Sequence, residues 1–171
     1  MMKYKICSLV LKIVILTQFI FLMIVIACFN PFTGRILTTH YAQKYDINQT
    51  IFYRQIRAES HFRSFAISSK GAIGIGQIIY TTAVYMESEI KKWELYLPWK
   101  NLNISAKYMQ HLLNRYNQNY SLALAAYNWG ETNVSEKLRE NNVFSIEEDK
   151  NYIALFQNIR ETYSYLEKIL R

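Results

Sequence analysis

From residue 6 to residue 29 the chain is almost wholly apolar, interrupted by Lys12, Gln18 and a few hydroxyls, whereas from Tyr45 onward apolar residues recur every three or four positions between short polar turns. The second pattern is that of amphipathic helices packed on a shared core. Asp46 is a candidate N-cap, and Ile47, Ile51 and Ile56 lie on one helical face running to about Glu59. Gly71, Gly74 and Gly76 interrupt any helix and hold a tight turn before a stretch predicted helical over 77–86. A further helix is predicted over 102–116, with Leu102, Met109, Leu112, Leu113 and Tyr116 inward, and a short apolar one over 121–128, stopped by Gly130. The last, over 149–170, aligns Ile153, Phe156, Ile159, Tyr163, Leu166 and Leu170.

No strand alternation competes with these periods, so the fold class is read as all-α, five or six helices around one core, preceded by an N-terminal hydrophobic signal or anchor helix. Residues 33–44 show no strong period. The expected organisation is a signal peptide or membrane anchor over 1–29, a linker over 30–44 and one helical domain over 45–171, the size of a single ordinary domain.

The apolar start reads as an address. Lys3 and Lys5 precede it, and only Arg35 and Lys44 follow soon after, so the positive-inside rule places the amino terminus in the cytoplasm and the remainder outside. Residues 13–29 are just long enough to span a bilayer and equally suit the core of a cleavable signal. Val25-Ile26-Ala27-Cys28 looks like a bacterial lipobox, which would leave Cys28 lipidated. Retained anchor, lipidation and plain secretion all deliver the domain to the cell envelope.

Charge and cysteine content narrow the chemistry. The formal net charge is +7, and the part beyond Cys28 keeps +4 once Lys3, Lys5 and Lys12 are set aside. No Lys/Arg cluster is dense enough to track phosphates, so no nucleic-acid partner is expected, while an anionic wall polymer or membrane surface fits. Cys7 and Cys28, on one helix, stand roughly 30 Å apart and cannot form a disulfide. His40, His61 and His111 show no ligand spacing, and no metal or other cofactor is expected.

Glu59 lies three residues after Ile56, which puts its carboxyl near the buried edge of its helix, beside Phe62. Partial desolvation there would raise its pKa, as a group that must donate a proton at neutral pH requires. The residue type alone equally suits a surface glutamate at a helix end.

Four islands follow in order: Glu59-Ser60; Gly71-Ala72-Ile73-Gly74-Ile75-Gly76-Gln77-Ile78; Ala125-Ala126-Tyr127-Asn128-Trp129-Gly130; and Glu161-Thr162-Tyr163-Ser164-Tyr165-Leu166. With Phe62, Ala66, Ser68, Asn101 and Tyr108 between them, the chain resembles the soluble-lytic-transglycosylase family, which has a lysozyme-like fold. The resemblance covers 45–170 and implies non-hydrolytic cleavage of the MurNAc–GlcNAc β-1,4 bond in peptidoglycan glycan strands. It implies Glu59 as the catalytic acid and base, and Ser60, Gln77, Tyr127, Asn128 and Tyr165 as site or substrate-binding residues. Glu161 is expected in a structural ion pair, and Trp129 either stacks on a sugar or packs in the core.

Three positions depart from the family pattern. Gly76 replaces a methionine, Tyr80 stands where a proline commonly follows, and Ser105 replaces a glycine. Two other readings stay open: a hydrolytic lysozyme-like muramidase using a second carboxylate such as Glu131 or Glu161, and a peptidoglycan-binding scaffold without activity. The small size and the tether would suit local wall opening for an envelope-spanning secretion or conjugation machine, or for the passage of phage DNA.

Overall fold

A computed structural model of the chain describes residues 2–171, with side chains from Val10 onward; the side chains of Lys3, Lys5 and Cys7 lie outside the described residues. Helix α1 (Met2–Phe29) is continuous, and its stretch Val10–Phe29, with a mean hydropathy of 2.7, contains no buried residue; only Cys28 and Phe29 at its end are partly covered.

One residue separates α1 from α2 (Pro31–Lys44). The Asn30 side chain accepts from the Phe32 amide at 2.8 Å and Pro31 occupies the first helical position, a strong start signal. The segment 30–44, expected as a linker, is therefore helical, and it packs on α3 and α5. Its buried face is Gly34, Thr38 and Ala42, small residues at i, i+4 spacing that bring the backbones close without a large apolar period.

Asp46 does not cap the next helix. It takes a left-handed φ of 52° in the turn, and Asn48 caps α3 (Gln49–Ser60) by accepting from the Ile51 amide at 3.1 Å. Phe52, Gln55, Ile56 and Ser60 form the inward face of α3. The predicted helix over 77–86 is shorter than expected. A two-residue hairpin, β1 (Ala72–Ile73) with β2 (Ile78–Ile79), occupies its start, and α4 runs only Tyr80–Met86. Gln77, at φ 51°, turns the chain and cannot continue a helix.

A 3-10 turn (Lys92–Tyr96) leads to α5 (Pro98–Arg115), which begins earlier than predicted because Pro98 serves as its first residue. Helix α6 (Tyr120–Trp129) is the centre of the domain: Ser121 to Ala126 are all buried, and it contacts α5, α7 and α8. A helix apolar on all sides must be covered on all sides. Gly130, at φ 98°, ends α6 and opens α7 (Glu131–Glu140), a helix additional to those the sequence predicts. The long last helix is interrupted: a 3-10 turn (Ile153–Phe156) precedes α8 (Arg160–Leu170), both parts keeping their apolar side inward. The fold is all-α as expected, apart from the small hairpin.

Candidate active site

Helix α3 delivers Glu59 in its last turn, one residue before the buried Ser60. His61 and Phe62 follow with φ of 55° and 64°, two successive left-handed residues that reverse the chain and return Phe62 to the core. The reversal leaves Glu59 at the floor of a cleft of about 450 Å³, which Gln77, Tyr108, Tyr127, Asn128 and Trp129 also line. That volume suits a site able to enclose a sugar unit.

Protein surrounds the Glu59 carboxyl on most sides while the cleft leaves it partly accessible. Burial pushes its pKa up to about 7; the Tyr165 hydroxyl and the Lys168 charge oppose that rise, and the Glu161 charge adds to it. The Tyr165 hydroxyl, carried by α8, donates to Glu59 Oε1 at 2.6 Å. Burial and the nearby Glu59 charge hold the Tyr165 and Tyr127 phenols well above their ordinary values, so both remain donors throughout the accessible pH range.

The glycine-rich loop is fixed from beneath. Gly74 turns at φ 78°, and a Cβ there would collide with the Leu95 carbonyl and the Asn101 amide. Asn101 is fully buried: its Nδ2 donates to the carbonyls of Ile73 (2.9 Å) and Leu95 (2.8 Å), and its Oδ1 accepts from the Gly76 amide at 2.8 Å. A Cβ at Gly76 would run into the Ser105 hydroxyl. The two departures at 76 and 105 thus touch one another, so a larger residue at 105 requires the glycine at 76. The third, Tyr80, starts α4 and sends its hydroxyl to the Ile90 carbonyl at 3.2 Å.

Of the residues singled out in the sequence, Glu59, Gln77, Tyr127 and Asn128 meet in the cleft. Gln77 is held by its amide nitrogen, which donates to the carbonyls of Gly74 (2.8 Å) and Ala66 (3.2 Å). Tyr127 donates to the Gly76 carbonyl at 2.8 Å, and Asn128 Oδ1 accepts from Thr162 at 3.0 Å. Tyr165 does not line the cleft and joins the group through its hydrogen bond to Glu59. Ser60 does not face the cleft: it is fully buried and its hydroxyl donates to the Ile75 carbonyl at 2.5 Å, so it braces the loop and cannot touch a ligand.

Two other carboxylates flank the site. Glu161 lies on the rim in an exposed ion pair with Lys70 at 2.9 Å. Glu131 is engaged by His111 and Arg115, each at 3.3 Å, and by the Tyr108 hydroxyl at 3.3 Å. Trp129 lines the cleft and meets the Phe156 ring edge-on at 6.4 Å. The sequence does not single out Thr162 or Lys70; the signal available for Thr162 is its place beside Glu161 in the fourth island.

The family model of the transglycosylase SLT domain matches residues 37–150, well over half of the chain. Among solved structures, the lytic transglycosylase Slt of Pseudomonas aeruginosa, an inactive glutamate-to-glutamine mutant, superposes with a TM-score of 0.67 at 24% identity over 80% of this chain. The 70 kDa soluble lytic transglycosylase of Escherichia coli gives 0.66 at 28% identity over 78% of this chain. A complex of the 70 kDa soluble lytic transglycosylase with bulgecin A gives 0.67 at 27% over the same share. In each case this chain covers 22% of the other, so it spans about a fifth of the length of these structures. The match over 37–150, together with the shared fold, shows that the chain belongs to the transglycosylase SLT domain family.

Proposed function

We propose that this protein is a peptidoglycan lytic transglycosylase in which Glu59 serves in turn as acid and base. The observation that carries the reading is a single partly buried carboxyl poised near pH 7 in a sugar-sized cleft, steadied by a tyrosine hydroxyl. A group with a pKa near the working pH can both give and take a proton in one turnover.

Protonated Glu59 donates its proton to the glycosidic oxygen as the bond from the muramyl C1 to that oxygen breaks, and the sugar gains oxocarbenium character. The Glu59 carboxylate then takes the proton of the muramyl C6 hydroxyl, whose oxygen closes on C1. The products are a 1,6-anhydro-muramyl end and a free N-acetylglucosamine end, with no water consumed and Glu59 returned to its acid form. Gln77 and Asn128 offer amide groups to acetamido and hydroxyl groups of the strand, and Trp129 an aromatic face.

Helix α1 holds the domain at the outer face of the cytoplasmic membrane, with the amino terminus inside. The apolar stretch Val10–Phe29, none of whose residues is buried by the rest of the protein, supports a retained anchor. In that position the enzyme would open the wall locally for an envelope-spanning machine.

The test is mass spectrometry of muropeptides released from purified sacculi by the full chain and by Glu59→Gln. Anhydro-muropeptides from the wild type alone support the proposal. Reducing-end products would assign a hydrolytic muramidase and direct attention to Glu161, the other carboxylate lining the cleft. No release by the wild type would leave a binding module. Carbonate-washed membranes and the intact mass of the chain test the anchor, because cleavage or acylation at Cys28 would change that mass.

A further inference from the structure

Where α1 ends, the domain presents an aromatic surface that its own fold leaves uncovered. Phe29, the last residue of α1, stacks on Phe65 with centroids 5.0 Å apart and meets Trp99 at 6.4 Å; Phe65 in turn stacks on Tyr96 at 6.1 Å. Phe65 is 65% exposed, Phe32 66% and Ile67 63%. These side chains come from three separate parts of the sequence, the start of α2, the loop after α3 and the start of α5, yet they gather around the end of the apolar helix. A shallow recess lined by Phe29, Pro31, Phe62 and Phe65 opens among them.

Two cations border this surface. The Arg35 guanidinium lies 5.5 Å from the centre of the Phe62 ring, and the Arg63 guanidinium is anchored through Nε to the Ser60 carbonyl at 2.9 Å. Among the described residues neither is in an ion pair.

We propose that this apolar collar, formed by Phe32, Phe65, Ile67 and Trp99 around the end of α1, docks the domain on the headgroup layer of the bilayer that α1 spans, with Arg35 and Arg63 meeting the phosphates of anionic lipids. The inference rests on the retained anchor proposed above. The continuity of the surface selects the occupant. Val10–Phe29 spans roughly 30 Å as a helix, the thickness of a hydrocarbon core, so Phe29 sits where hydrocarbon gives way to headgroups. Rings stacked on Phe29 share that depth, where aromatic side chains and arginines are favoured. The one-residue connection leaves the domain little freedom to lift away.

Docking also reaches the site. Ala66, between the two exposed side chains Phe65 and Ile67, supplies the carbonyl that receives the Gln77 amide and the Gly74 backbone N–H. The loop that would face the membrane is therefore hydrogen-bonded directly to the loop that lines the cleft.

The chain contains three tryptophans, Trp93, Trp99 and Trp129, which makes the depth of the collar measurable. The full chain carrying Trp93→Phe and Trp129→Phe, with Trp99 as its one indole, is reconstituted into phosphatidylethanolamine/phosphatidylglycerol vesicles containing lipids brominated near the headgroup or near the acyl terminus. Trp99 emission is expected to shift to the blue relative to the detergent-solubilised chain and to be quenched at least twofold more by the shallow bromines than by the deep ones. Phe65→Ser with Ile67→Ser should reduce that quenching while the chain still floats with the vesicles, and Arg35→Gln with Arg63→Gln should reduce it in phosphatidylglycerol-containing vesicles but not in phosphatidylcholine. Flotation with an unquenched Trp99 overturns the collar and leaves the anchor standing. Failure to float overturns both.

Discussion

The Tyr165 hydroxyl on α8 donates to Glu59 Oε1 on α3 at 2.6 Å, across 106 residues of sequence. It stabilises the carboxylate form while burial favours the acid, and the balance rests near pH 7. With Tyr165→Phe the opposing hydrogen bond is lost, so the Glu59 pKa is expected to rise further. The descending alkaline limb of activity should move to higher pH, and turnover should fall about 10- to 100-fold, since a hydrogen bond to a charged group is worth roughly 1.5–3 kcal/mol. A pH–rate profile of muropeptide release checks both.

Glu59→Gln should abolish turnover and yet stabilise the fold in alkaline buffer. The folded-state pKa of Glu59 lies above its ordinary 4.5, so the native state holds the proton more tightly than the unfolded chain. The stability this confers is fully present below pH 4.5 and lost as pH rises through 7. Above pH 7 the wild type carries a buried charge costing up to about 3 kcal/mol, which the amide avoids. Urea unfolding at pH 8 and pH 4 should show a stabilisation by the substitution at pH 8 that shrinks at pH 4.

Gly76 and Ser105 should behave as one unit. Gly76→Met drives a side chain into the Ser105 hydroxyl and should cost about 1–3 kcal/mol. Ser105→Gly alone should cost about 1 kcal/mol through its helix position. The double variant should be more stable than the sum of the single losses by at least about 1 kcal/mol, measured in a double-mutant cycle.

Asn101→Leu should be among the most damaging single changes. It removes both hydrogen-bond donors from the Ile73 and Leu95 carbonyls and the acceptor from the Gly76 amide, all enclosed in the core. A loss of about 3–5 kcal/mol is expected, a large part of the stability of an ordinary domain. Thermal unfolding followed by circular dichroism reads it directly.

How much of this was legible in the sequence depended on which force placed each residue. The Ile56–Glu59 spacing puts a carboxyl at a buried edge, a purely local relation that the structure reproduces. Helix α2 escaped because its packing face is Gly34, Thr38 and Ala42: close backbone approach leaves no large apolar residues for a periodicity to detect. Helix α7 escaped for a related reason, burying only Val134 and Leu138 among ten mostly polar residues. The break before α8 was hidden because the 3-10 turn at Ile153–Phe156 keeps the apolar phase running across it. At the site, the family islands named Ser60 but could not say which way its hydroxyl points. That is decided by the Ile75 carbonyl, fifteen residues on.

Asn30 alone stands between α1 and α2, and the Thr33 hydroxyl reaches back over it to the Ala27 carbonyl at 2.6 Å. Were α1 retained in the bilayer, a connection this short would fix a working radius. A compact domain of this length is about 40 Å across. On the anchored transglycosylase proposed above, the cleft would reach no glycan strand farther than that from the lipid surface, so altitude above the membrane, as much as sugar chemistry, would select which strands are cut.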